Sequence, residues 1–413
     1  VGQRALAYYA ELDAGDMDAD ALGRRARAQL LVGEVLNLRG DSEGALGAFR
    51  QAAAATGELL RREPGDAQRI YDHAQSEFWV GFIAWQRKEL PAAERAFRQY
   101  LVLAGRLVAA EPGNAEWQTE LASAQTNLGI LLDERGQASE AGTLFESALA
   151  SKQALLARTP DDPARLYMVG QAHAYVADNR ARRGDLAAAL QARAQERAAY
   201  ARMLALDPDD AKARDGQVMA GLAIGDLLTQ QGKPGPALQE LEASAAAIDQ
   251  LRRLDPDNQS WRELEVYAHF LKAEAKFAGG DVAQARRDVG LSIAGAQALV
   301  AADPTVARWR QGRLMTARAL EVRIARASGD PRAEELADAF FREFARDRFA
   351  SQSARTAWLL TVGRIDAIEA ARFAQLATST REKALVEKRA LPKAAEGTGA
   401  LPAPLASASS GEP

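Results

Sequence analysis

Apolar positions recur along this chain at three- and four-residue intervals, in runs that end at a glycine or at a proline-containing turn. That period belongs to amphipathic helices, and the regular breakers exclude an unbroken coiled-coil seam. The clearest stretch starts at the turn Glu111-Pro112-Gly113-Asn114. It predicts one helix over Trp117–Arg135, a break at Gly136, a second helix over Ser139–Ala157 and another turn at Pro160. The unit is a helical hairpin.

The same pattern returns with a fixed step. Pro64, Pro112, Pro160, Pro208, Pro256 and Pro304 are each 48 residues from the next. Asp66, Asn114, Asp162, Asp210 and Asn258 lie two residues after the first five, where a side-chain oxygen caps a starting helix. Gly40, Gly136, Gly184, Gly232 and Gly280 stand in the turn within each hairpin, where a left-handed backbone costs glycine little, and Lys88 is the exception. Ala45, Ala93, Ala141, Ala189, Ala237, Ala285 and Ala333 form a column of small residues, as close helix packing requires. Periods of this size mark stacked repeats in which each unit buries its neighbour's apolar face.

Within Gly113–Pro160 the order Leu128-Gly129, Ala141, Phe145, Ala148 resembles the tetratricopeptide (TPR) repeat. The usual length of that motif is about 34 residues, so two extra turns on each helix account for the longer period. The resemblance implies an all-α solenoid, a right-handed superhelix of about seven hairpins. The expected units are 17–64, 65–112, 113–160, 161–208, 209–256, 257–304 and 305–352. It weakens where Arg193 takes the place of Phe49, Phe97 and Phe145, and beyond Thr305, where Gly329 comes one residue late and Gln352 replaces the turn proline. Residues 1–16 read as the end of a truncated preceding helix, 353–391 as C-terminal capping helices and 392–413 as a disordered tail.

The net charge is −4 with basic residues dispersed along helices, which argues against nucleic-acid binding. Cysteine is absent, so disulfide and thiol chemistry are excluded and the compartment stays undecided. A cytoplasmic protein is the expectation, a periplasmic one the alternative if a membrane span lies upstream. No apolar run long enough to enter a membrane occurs. The three histidines, His73, His173 and His269, are too far apart along such an array to share a metal, and phosphate-loop and nucleophile-elbow motifs are missing. No catalytic set, metal or cofactor is expected. Arg39-Gly40-Asp41 and Arg183-Gly184-Asp185 are explained as hairpin turns.

Binding is the remaining class. The TPR resemblance implies a concave groove lined by the first helix of each hairpin. The carboxylate clamp of the family's co-chaperones is absent, since Phe78 with Phe82 and Thr126 with Ile130 hold its places, although Asn127 occupies one matching place. The candidate groove residues are the aromatics Phe78, Phe82 and Trp85 and the acids Glu34, Asp178, Asp226 and Glu274. Each has an ordinary alternative: an aromatic stripe at helical spacing packs a core, and an acidic series is a solvated face. The expected function is a non-catalytic scaffold for a protein or peptide segment, with a basic one favoured by the acids. Resemblance places it as the interaction region of a larger bacterial signalling protein. The alternatives are the C-terminal part of an enzyme such as a serine/threonine kinase, and a self-associating homo-oligomeric array.

Overall fold

A computed structural model describes residues 17–346. The readings for 1–16, for 353–391 and 392–413, and for the end of the last unit at Gln352, lie outside the described residues. Those described are helical throughout, with no strand. Two compact units divide the chain, Val1–Asn179 and Arg180–Pro413.

The first unit contains α1 (Ala19–Leu38), α2 (Ser42–Arg62), α3 (Ala67–Gln86), α4 (Leu90–Ala110), α5 (Ala115–Glu134), α6 (Ala138–Arg158) and most of α7 (Pro163–Arg182). First helices have 20 residues and second helices 21, about 30 Å each at 1.5 Å per residue. Their ends follow from the sequence. Asp66 and Asn114 accept hydrogen bonds from the N–H groups of Arg69 and of Glu116 and Trp117, satisfying donors that a starting helix leaves free. Gly40 and Gly136 both take φ of 79°, and the N–H one residue further bonds back to Leu36 and Leu132, closing a Schellman turn. Lys88 adopts the same left-handed conformation at φ 61°, and the Glu89 N–H bonds back to Ala84.

Within a hairpin the spacing is set by a glycine under a ring. A Cβ on Gly81 would stand 2.6 Å from Phe97, and one on Gly129 would stand 2.7 Å from Phe145, so no larger residue fits without displacing the ring. Ala45, Ala93 and Ala141, each four residues before the phenylalanine of its own hairpin, are completely buried. Successive hairpins are joined by the second helix of one lying antiparallel on the first helix of the next. Phe49 stacks on Trp79 at 5.1 Å and Phe145 on Tyr175 at 5.5 Å between ring centres.

The second unit continues the pattern with α8 (Leu186–Leu206), α9 (Ala211–Gln230), α10 (Pro234–Leu254), α11 (Gln259–Ala278), α12 (Val282–Ala302), a π-helical turn over Arg308–Leu314 that runs into α13 (Met315–Ala327), and α14 (Ala333–Arg346). Asp210 and Asn258 cap α9 and α11. Val218, Leu222, Leu241, Leu271, Val289 and Leu320 belong to one buried cluster spanning α9 to α13. Arg193, where the phenylalanine of the motif is missing, stays in the core by pairing with Glu196 at 2.7 Å on the same helix. A buried charge is tolerated there because its partner is buried with it. The chain is thus an α-solenoid of TPR-like helical hairpins.

Candidate functional site

In the first unit the first helices lie side by side. Gln75 of α3 donates to Glu120 of α5, Trp85 Nε1 of α3 donates to Glu134 of α5 at 2.7 Å, and Asn179 of α7 donates to Asp133 of α5 at 3.0 Å. Their shared face is where the aromatic candidates sit. Phe78, Phe82 and Trp85 fall at i, i+4 and i+7 on α3, and all three are half-buried. Phe78 stacks on Phe82 with ring centres 5.9 Å apart, Phe82 meets Trp85 at 6.2 Å, and Phe78 meets Tyr100 of α4 at 5.7 Å. The Lys88 ammonium lies 5.6 Å from the centre of the Trp85 ring. The rings are neither sealed in a core nor separately solvated. They form a ledge, packed below and open above.

Polar groups flank that ledge. Glu120 accepts from Tyr100 and Gln75; burial pushes its carboxyl up, and these two bonds only partly oppose the shift. Burial raises the Tyr100 phenol well above its ordinary value, with the Glu120 charge adding to it. Neighbouring His73 is lowered by burial and by the Arg106 charge, and its Nδ1 lies 3.1 Å from Thr56 Oγ1. These groups are hydrogen-bonded into the packing between helices.

The acidic candidates differ among themselves. Glu34 is half-buried on α1, and Asp178 is half-buried on α7, where burial and then the Asp178 charge raise the Tyr175 phenol. Asp226, half-buried on α9, accepts from Gln230 one turn on at 2.9 Å. Glu274 on α11 is only 7% exposed and lies 3.7 Å from Arg323 of α13. One member of the expected series is therefore a buried member of an ion pair, whereas the other three keep part of their surface open.

Arg39-Gly40-Asp41 and Arg183-Gly184-Asp185 are turns. Asp41 and Asp185 use their carboxylates to cap the helices that follow, accepting from Gly44 and Ala188. His269 bonds to Asp288, which Lys272 and Lys276 also face. Burial pushes Asp288 up, but the His269 and Lys276 hydrogen bonds and the lysine charges outweigh it and hold the carboxyl at about 2. Among the described residues no cluster of three or more His, Asp or Glu could hold a metal, and no helix is long and apolar enough to cross a membrane.

Two participants escaped the reading of the sequence. Trp79 points to the preceding hairpin, in register with Tyr175 two periods on; that shared place was the available signal. Lys152 of α6 is only 7% exposed, and burial alone pushes its ammonium down to about 8. Its Nζ lies 3.5 Å from Thr126 Oγ1. Thr56, Ala104, Tyr200, Ile248 and Ala296 hold its place in the other hairpins, so a lysine in a column of uncharged residues was the sign.

No protein-family model matches the chain, and no curated protein matches it at a significant level. Similar solved structures include BtubC (BKLC) from P. vanneervenii, 15% identical over 64% of this chain and 92% of that one, with a TM-score of 0.47. The apo form of RapI is 12% identical over 76% of this chain and 99% of its own, with a TM-score of 0.46. A tetratricopeptide repeat protein from Parabacteroides merdae is 16% identical over 78% and 92% respectively, with a TM-score of 0.41.

Proposed function

We propose that this chain is a non-catalytic interaction scaffold that holds a protein segment against its first helices, as the interaction region of a larger bacterial signalling protein. The observation that carries the reading is the half-open ledge of Phe78, Phe82 and Trp85. Rings with one face packed and one in water supply rigid apolar area at little entropic cost, which is how aromatic anchors act at interfaces. The carboxylates of the same unit, Glu134, Glu34 and Asp178, favour a segment that carries Lys or Arg near an apolar side chain. Glu274, paired with Arg323, contributes packing to this scheme. The array that presents these residues is taken to run from residue 17 to 352.

The test is to select peptides from a random display library on the full chain and measure their affinity for Phe82→Ala/Trp85→Ala. Each ring removed costs about 2–4 kcal/mol of stability, since most of its surface is packed. Circular dichroism checks that the double variant keeps its helices before its affinity is read. Affinity falls at least tenfold, and selected peptides are enriched in Lys and Arg. Peptides that bind the double variant as tightly as the parent remove the ledge as the site.

A further inference from the structure

A trough of about 560 Å³ lies in the second unit, over α9 and between α8 and α10. Its floor is one face of α9, where Arg214, Gln217, Val218 and Gly221 fall at i, i+3, i+4 and i+7. Arg214 and Gly221 are two turns apart, about 10 Å along the axis. The volume falls in the range of small-molecule sites, about 300–1,000 Å³.

The Gly221 end is open because two side chains are missing. Gln29, Glu77, Gln125, His173 and His269 stand at whole periods from Gly221. Gln29 donates to Gln51 at 2.6 Å, Gln125 donates to Ser147 at 2.9 Å, and His269 lies 3.0 Å from Asp288, so in those hairpins a side chain fills the place and pairs with the second helix. Hairpin α9–α10 has Gly221 for the first partner and Ala243, at the place of Gln51 and Ser147, for the second. A niche walled by Val218, Ala243 and Ala247 is left. The ion pair of Arg197 with Glu240, at 2.7 Å, closes it.

The other end differs in chemistry. Tyr200 lies against Gly216 and Ser244 against Gly221, so along these antiparallel helices Leu204 and Leu251 come level with the turn of Arg214. Leu254, 67% exposed, forms the lip. The Arg214 guanidinium donates to the Pro208 carbonyl and to Asp209, whose side chain is 92% exposed and offsets the charge only weakly through water. Since Glu240 neutralises Arg197, Arg214 is the charge in excess among the residues that line the trough.

We propose that this trough binds an amphipathic monocarboxylate, with the carboxylate on Arg214 and the Gln217 amide and a medium-length alkyl chain running over Val218 into the niche at Gly221. One net cation matches one carboxylate, and small apolar walls match a chain without branches. The site uses nothing of the ledge on α3, so either can fail without the other.

The probe is sodium octanoate, titrated into the full chain by isothermal titration calorimetry, with butyrate and octylamine to separate chain from charge. Octanoate saturates one site per chain, butyrate binds at least tenfold more weakly, and octylamine does not bind. Ala243→Gln gives this hairpin the glutamine that Gln51 supplies in the first, and it reaches into the niche from an exposed position. It weakens octanoate at least tenfold with circular dichroism unchanged. Arg214→Gln and Leu254→Glu also weaken it, as does added salt, whereas Phe82→Ala/Trp85→Ala leaves it as it was. Octanoate that does not saturate, or that binds Ala243→Gln and Arg214→Gln as tightly as the parent, overturns the proposal. So does octylamine that binds as tightly as octanoate, since the carboxylate is then not what the trough recognises.

Discussion

Hairpin α3–α4 sets Phe78 against Tyr100, carries Lys88 at its turn and has Ala104 deep in its second helix. One period on, hairpin α5–α6 has Thr126, Ala148, Gly136 and Lys152 in those places. Two aromatic rings have become a hydroxyl and a methyl, and a small apolar side chain has become a lysine whose stem runs through the core to Thr126. The glycine–phenylalanine pair is the same in both, Gly81 with Phe97 and Gly129 with Phe145. This pair therefore holds the helices at their distance while volume elsewhere is exchanged between side chains. One hairpin spends its variable places on an aromatic surface; the other fills them with an aliphatic stem that carries a buried charge.

Removing what the two hairpins share costs the most stability. Phe145→Ala loses the ring over Gly129 and the stacking on Tyr175, and the expected cost is about 3–5 kcal/mol in chemical denaturation. A loss below about 1 kcal/mol, the level of an ordinary point change, would mean that the pair is not the spacer. Next in size is the charge on which the hairpins differ. Lys152 titrates near 8 in the folded chain against 10.5 for the free side chain, so the unfolded chain binds the extra proton between those values. Stability attributable to this group rises as pH goes from about 8 to 10.5, and below 8 the full penalty stands. Lys152→Met keeps the stem and drops the charge, so it should stabilise the protein at pH 7 by about 3 kcal/mol, a gain that shrinks to nothing by pH 10.5. An unchanged denaturation midpoint at pH 7, or a difference that does not vary with pH, contradicts that account. The smallest effect belongs to the turn. Lys88→Gly gives the α3–α4 turn the residue that α5–α6 already has and should gain about 1 kcal/mol, whereas Lys88→Ala gains nothing because alanine resists positive φ as lysine does.

The turn also shows how far the sequence could be read. Lys88 is conspicuous there as the one gap in a column of glycines, and the backbone keeps the left-handed turn regardless, because the N–H groups after it still close on the helix. The alanine column was equally plain, since a residue that must be small can be recognised by being small everywhere; each member from Ala45 to Ala285 is completely buried. What one repeat does to another's side chain was not legible. Phe78 and Trp79 are adjacent aromatics in the sequence, yet one joins the ledge and the other stacks on Phe49. Asp226 and Glu274 stand one period apart, and only the second is buried, because Arg323 reaches it from α13. Period and composition report the place of a residue in its own helix. The facing side chain, many residues away, decides whether that place is open.

The π-helical turn over Arg308–Leu314 explains an irregularity visible from the start. Trp309 stands one full period after Trp261, yet Gly329 comes 49 residues after Gly280. A π turn takes in one more residue than an α turn while the helix axis continues, so the surplus is absorbed inside the helix and its end still falls at the hairpin turn. The turn then gives the residue back: Ala333 follows Gly329 after four positions, where every earlier alanine follows its turn residue after five. Ala333, Ala337 and Phe340 are accordingly buried at the places of Ala285, Val289 and Ser292. The molecule conserves phase, not length. A slip of one residue, which would turn every apolar position of the last hairpin away from its neighbour, is corrected within about thirty positions, before it reaches a packed surface.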